Sequence, residues 1–142
     1  MGDPFNLQRF ADAQHGTYLR ALDELRAGRK RTHWMWFIFP QLGALGRSET
    51  ARLYGVSGLD EAKAYQAHPI LGPRLEESVN AVLAHADRRS AEEMLGPVDA
   101  IKLRSCLTLF QVAGGGACLG QALAAFFGGE PDPFTLELLA AG

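Results

Sequence analysis

Glycine and proline cut this chain at short intervals, and the pieces between the cuts carry apolar residues at helical spacing. Stops fall at Gly28, Pro40, Gly55, Pro69, Gly96-Pro97, Gly114-Gly115-Gly116 and the run from Gly128 to Pro133. Proline cannot continue a helix, and glycine readily takes the left-handed turn that ends one. Asp3-Pro4 reads as an N-cap with Pro at the first helical position, predicting a helix to about Gln14 and a second from His15 to Ala27. Tyr18, Leu19, Leu22 and Leu25 recur on one face of that second helix. From Ile70 to about His85, Leu71, Leu75, Ser78, Val79 and Val82 share a face opposite Glu76, Glu77 and Asn80. Ser48 and Ser90 cap short helices, and Val98–Val112, Leu119–Phe127 and Phe134–Leu139 form the last three. The aromatic block around Trp34–Phe39 would suit a buried strand as well as a helix, but no second strand is present to pair with it. The pattern predicts an all-α fold, a single domain of seven to nine short helices over residues 1–142.

Composition excludes several classes. With 47% apolar and 21% charged residues, the chain has the makeup of a packed globular protein and not of a disordered one. Four cations in six residues, Arg26 with Arg29-Lys30-Arg31, invite a nucleic-acid reading. A net charge of −2 has the wrong sign for one. No run approaches the roughly 18 apolar residues of a membrane span. The first residues lack a basic region followed by an apolar stretch, so no secretory signal is expected and the chain reads as cytoplasmic. Cys106 and Cys118 make neither a disulfide framework nor a zinc site, and the histidines at 15, 33, 68 and 85 are scattered, so no metal or cofactor is expected. The triple glycine lacks the spacing of either phosphate-binding fingerprint. The sequence does not specify an oligomeric state.

Two segments carry chemistry. From Arg29 to Gln41 the chain joins the donors Arg29, Lys30, Arg31 and His33 to the indoles of Trp34 and Trp36. A flat base stacks on Trp, and phosphates sit against Lys or Arg. The same residues also suit a solvated basic triplet beside an apolar core, in which a buried Trp N–H needs a partner. Gln41, just past the proline stop, is a candidate for that partner or for a ligand contact. The second segment is the helix from Val98 to Val112, where Arg104, Thr108 and Gln111 read as the solvent face. Lys102 and Ser105 fall with Ile101 and Leu109, and Asp99 precedes Lys102 by one helical step. A paired Asp and Lys on an apolar face is either a structural ion pair or a site. Cys106 reads as inert core.

Four stretches together resemble a known family: Asp3–Phe10, Gly28–Gln41 with its His-Trp-Met-Trp-Phe-Ile-Phe-Pro-Gln block, His68–Leu75 and Lys102–Phe110. It is a family of small bacterial proteins of unknown function, some of them labelled calpastatin. The resemblance implies an all-helical domain with no established activity, and Cys106 departs from it where a second Ser is expected. The calpastatin label finds no support in composition, because an inhibitor of that kind is a disordered chain that folds on its target. A late helix with Asp and Lys leading into an apolar Leu-Phe run is also similar to a helical family proposed to cleave N-glycosidic bonds in ADP-ribose and riboflavin-pathway intermediates.

The expected function is therefore a small-molecule site for a nucleotide- or ADP-ribose-like ligand, either binding or N-glycosidic hydrolysis. In it Trp34 or Trp36 stacks the base, while Arg29, Lys30 and Arg47 hold phosphate. His33, Gln41 and Ser105 add contacts, Asp99 stabilises an oxocarbenium-like centre or activates water, and Lys102 tunes its charge. The alternative is a non-catalytic interaction or regulatory module with an exposed apolar patch near Phe126-Phe127 or Phe134.

Overall fold

The structure, a computed structural model, describes residues 2–141. Among the described residues there are ten α-helices: α1 Gln8–Gln14, α2 Tyr18–Ala27, α3 Met35–Ile38, α4 Glu49–Leu53, α5 Leu59–Ala67, α6 Leu71–Leu83, α7 Ala91–Leu95, α8 Pro97–Val112, α9 Ala117–Phe127 and α10 Pro133–Ala141. That is slightly above the expected number, because each short capped segment forms a helix of its own. Among the described residues there is no strand. The aromatic block folds as the single turn α3, and Gly43–Leu45 form a 3-10 turn. One isolated bridge joins Leu42 to Val56.

Local signals set most of the ends. Gly28 stops α2 with φ of 73°, and Ser90 and Glu93 close a reciprocal capping box on α7. The first helix starts later than expected. The Asp3 carboxylate does accept backbone N–H groups, but from Leu7 and Gln8 at 2.7 Å each, so residues 4–7 form a turn ahead of α1. Asp132 caps α10 as its sequence suggests, accepting from the Thr135 N–H at 2.8 Å and the Thr135 hydroxyl at 2.7 Å.

The core is one continuous cluster, with Trp34, Tyr65, Phe10, Phe39 and Phe110 its largest fully buried side chains. Helix α8 is its axis, packed by α5, α7, α9 and α10. Its apolar residues run nearly all the way round, and a helix of that kind is driven inside. The expected solvent face of α8 holds at Gln111, which is exposed, and is corrected at Thr108. Thr108 is fully buried and its hydroxyl accepts the Asp132 N–H at 2.8 Å, because the turn into α10 folds over it. Arg104 donates to the carbonyls of Glu130 and Pro131 at 3.0 Å each. Ile101, expected inside, is 63% exposed. Among the described residues, no helix is long and apolar enough to cross a membrane.

Candidate functional site

The buried face of α2 places a carboxylate, Glu24, against the segment that follows Gly28. Four groups donate to it: the Arg31 N–H at 2.7 Å, the Thr32 N–H at 3.0 Å, the Thr32 hydroxyl at 2.6 Å and the Trp34 indole N–H at 2.9 Å. Burial alone would push the Glu24 carboxyl up. The donations from Thr32, Arg31 and Trp34 outweigh it and hold its pKa at about 2. The segment is pinned a second time where the Lys30 N–H donates to the Met94 carbonyl of α7 at 2.8 Å. Lys30 and Trp36 therefore project from an anchored stretch of backbone.

Helix α8 brings the other half. Pro97 occupies its first turn and Asp99 follows, where a carboxylate complements the helix dipole. Asp99 Oδ2 lies 3.0 Å from Lys30 Nζ, and its Oδ1 lies 3.6 Å from Lys102 Nζ. The Lys30 ammonium stands 5.2 Å from the centre of the Trp34 ring, and that of Lys102 stands 5.3 Å from the centre of the Trp36 ring. The two segments singled out in the sequence thus meet, about seventy residues apart along the chain, in a cluster of two ammonium groups, one carboxylate and two indoles.

Several of the expected ligand residues are placed differently. Trp34 is fully buried, with its N–H on Glu24, so it offers no face to a base and any stacking falls to the half-buried Trp36. Ser105 is buried and donates to the Ile101 carbonyl of its own helix at 3.2 Å, which leaves it no role toward a ligand. Arg29, His33 and Arg47 are exposed and Gln41 is half-buried. Among the described residues, no side-chain hydrogen bond or ion pair links these four to the cluster. Cys106 is fully buried, and burial pushes its thiol up, as suits an inert core residue. Glu24 is the anchor that the sequence did not reveal, since between Asp23 and Leu25 it reads as an ordinary acidic helix position.

A groove of about 1050 Å³ lies elsewhere, along α6 and the turn into α9. Leu75, Cys118 and Leu119 line it with Arg26, Glu76 and Arg88, and none of the expected site residues does. Part of its polar lining already serves helix packing. Glu77 accepts the Tyr18 hydroxyl and lies 3.6 Å from Arg26, while His85 Nε2 meets the Leu25 and Arg26 carbonyls at 3.0 and 2.9 Å. Burial and the nearby Glu76 push the Cys118 thiol up, which makes it a poor nucleophile. Volume favours the groove, whereas convergent unbalanced charge favours the lysine cluster. We take the second as the better guide, because charge selects a ligand class and volume alone does not.

The model of a family described as a protein of unknown function, DUF1810, matches residues 4–139. This chain belongs to that family. The conserved hypothetical protein Rv1873 from Mycobacterium tuberculosis, with a crystal structure at 1.38 Å, is similar to it at 50% sequence identity. The two superimpose with a TM-score of 0.94 over 97% of this chain and 99% of that one. The fold is therefore shared with an experimentally solved relative. No curated protein matches. Neither the DUF1810 description nor that of the relative gives an activity, so function has to be argued from the site.

Proposed function

We propose that the cluster of Lys30, Asp99, Lys102 and Trp36 binds a small anionic ligand carrying a flat ring, of the nucleotide or ADP-ribose kind. The observation that carries this is the imbalance of charge: two ammonium groups share one carboxylate. A net positive centre that is only partly solvated attracts an anion by about 4 kcal/mol at 4 Å for an effective dielectric near 20. The half-buried Trp36 beside Lys102 supplies a surface for a ring, and stacking on an indole contributes roughly 1–3 kcal/mol. Exposed Arg29 and Arg31 on the same segment add positive potential.

Binding is better supported than N-glycosidic cleavage. A developing oxocarbenium ion would meet the two lysines along with Asp99, so its stabilisation requires a ligand that first draws the lysines away. The test is a thermal-shift screen against nucleotides, ADP-ribose, sugar phosphates and flavin precursors. A ligand at 100 times its Kd adds about 2.7 kcal/mol and a shift of several degrees. A hit should be lost in Lys102→Gln, and turnover of any hit that disappears in a folded Asp99→Asn would establish hydrolysis.

A second reading has one observation behind it. On α10, Phe134 is 65% exposed, with Leu136 and Leu138 also exposed, whereas Phe126 and Phe127 pack partly against the core. A flat ligand screen together with self-association in light scattering would favour an interaction module.

A further inference from the structure

The anion site already contains an anion. Asp99 holds Lys30 at 3.0 Å, a direct charge-assisted contact, but stands 3.6 Å from Lys102, beyond hydrogen-bond length. The two lysine side chains also differ in exposure, 11% for Lys30 and 24% for Lys102. Lys30 is pinned at its backbone, whereas Lys102 projects from α8 toward Trp36. The Lys30–Asp99 contact is thus the fixed part of the site, and Lys102 is the arm that can turn to a ligand.

We propose that Asp99 is a resident competitor for Lys102 that weakens every anion by the same displacement cost, so that a phosphomonoester dianion, favoured by its own charge, still binds well where singly charged anions bind weakly. This rests on the anion-site reading above. Asp99 and Lys102 are three residues apart on one helix, so the carboxylate is presented to the ammonium at an effective concentration of about millimolar or more. A ligand carboxylate or phosphodiester brings one charge and gains little over what Asp99 supplies. A phosphomonoester near neutral pH brings about 1.5 to 2 charges and three acceptor oxygens. In the same field its attraction is nearly doubled, while the cost of displacing Asp99 is unchanged. Asp99 therefore sets a charge threshold for entry.

The experiment compares adenosine 5′-monophosphate with its methyl phosphodiester, which keeps the base and sugar and removes one charge. Calorimetric titration of the full chain should give at least tenfold tighter binding of the monophosphate. Asp99→Asn should tighten both ligands about fivefold, the size of effect expected for one lost competing ion pair. Equal binding of the two ligands by the unaltered chain would overturn the proposal and leave the anion site standing, as would an Asp99→Asn chain that binds the monophosphate less tightly or no differently. No binding of either ligand by the unaltered chain would instead remove the anion-site reading, and this inference with it. If Asp99→Asn does not fold, Lys102→Gln decides: retained affinity for the monophosphate contradicts the proposal, and loss of it together with the tenfold preference supports it.

Discussion

Glu24 shows how one side chain organises a region that its own sequence neighbours do not announce. Its carboxylate is shared by four donors from residues 31, 32 and 34, so removing it leaves a buried indole N–H and two backbone N–H groups without their acceptor. Each such orphan costs on the order of 1–3 kcal/mol, moderated where water can enter. Glu24→Ala should therefore lower the unfolding free energy by about 3 kcal/mol in urea titrations. A loss below about 0.5 kcal/mol would mean that the anchor is dispensable. The acid dependence has a defined sign. The folded pKa of about 2 lies below the ordinary 4.5, so this contribution is complete above pH 4.5 and is lost as pH falls toward 2. Glu24→Ala should flatten that part of the stability profile. The need for a Trp34 partner was legible in the sequence, but Gln41 stood as the candidate. The true partner is ten residues earlier, brought there by the packing of α2, which spacing along the chain does not encode.

At the scale of the element, glycine spacing marked the helix ends well because it acts locally. Gly28, Gly96 and Gly128 all end or precede helices with positive φ. Faces were harder to read. The register of α8 was given by its 3.6-residue period, but its apolar residues surround it, and which side met solvent depended on where α10 folded back. A glycine inside a helix can also record a contact that periodicity misses. A Cβ added at Gly72, in the first turn of α6, would lie 2.2 Å from the Gln66 carbonyl oxygen of α5, which is backbone and cannot swing aside. Gly72→Ala should therefore cost about 1–3 kcal/mol and lower Tm by several degrees. At Gly120, inside α9, the nearest atom to an added Cβ is the flexible Gln111 amide at 2.9 Å. Gly120→Ala should be neutral or should stabilise by about 0.5–1 kcal/mol through helix propensity. Equal losses at the two positions, followed by thermal denaturation, would contradict the close approach of α5 and α6.

Across the whole molecule, core and site separate along lines that the sequence shows only in part. The all-α class followed from punctuation and periodicity, and of the two readings of the aromatic block the core one holds for Trp34, Met35, Ile38 and Phe39. The approach of Lys30 to Asp99 was not legible, since it depends on α8 running beside the segment that α2 anchors. Residue types drew Arg29, His33, Gln41 and Arg47 into one site, and the fold leaves them at its rim or apart from it. What remains is a small positive centre on a chain of net charge −2, distinct from the groove by α6 and α9. The two indoles separate these possibilities directly, because one is sealed in the core and the other borders the lysines. Titration of ¹⁵N-labelled protein with adenosine 5′-monophosphate and ADP-ribose, followed through the two indole N–H resonances, should shift Trp36 progressively and leave Trp34 nearly unmoved. Two still indole signals at millimolar ligand, or shifts confined to the amides of Gly114, Gly115 and Gly116, would contradict a ligand site at Lys30, Asp99 and Lys102.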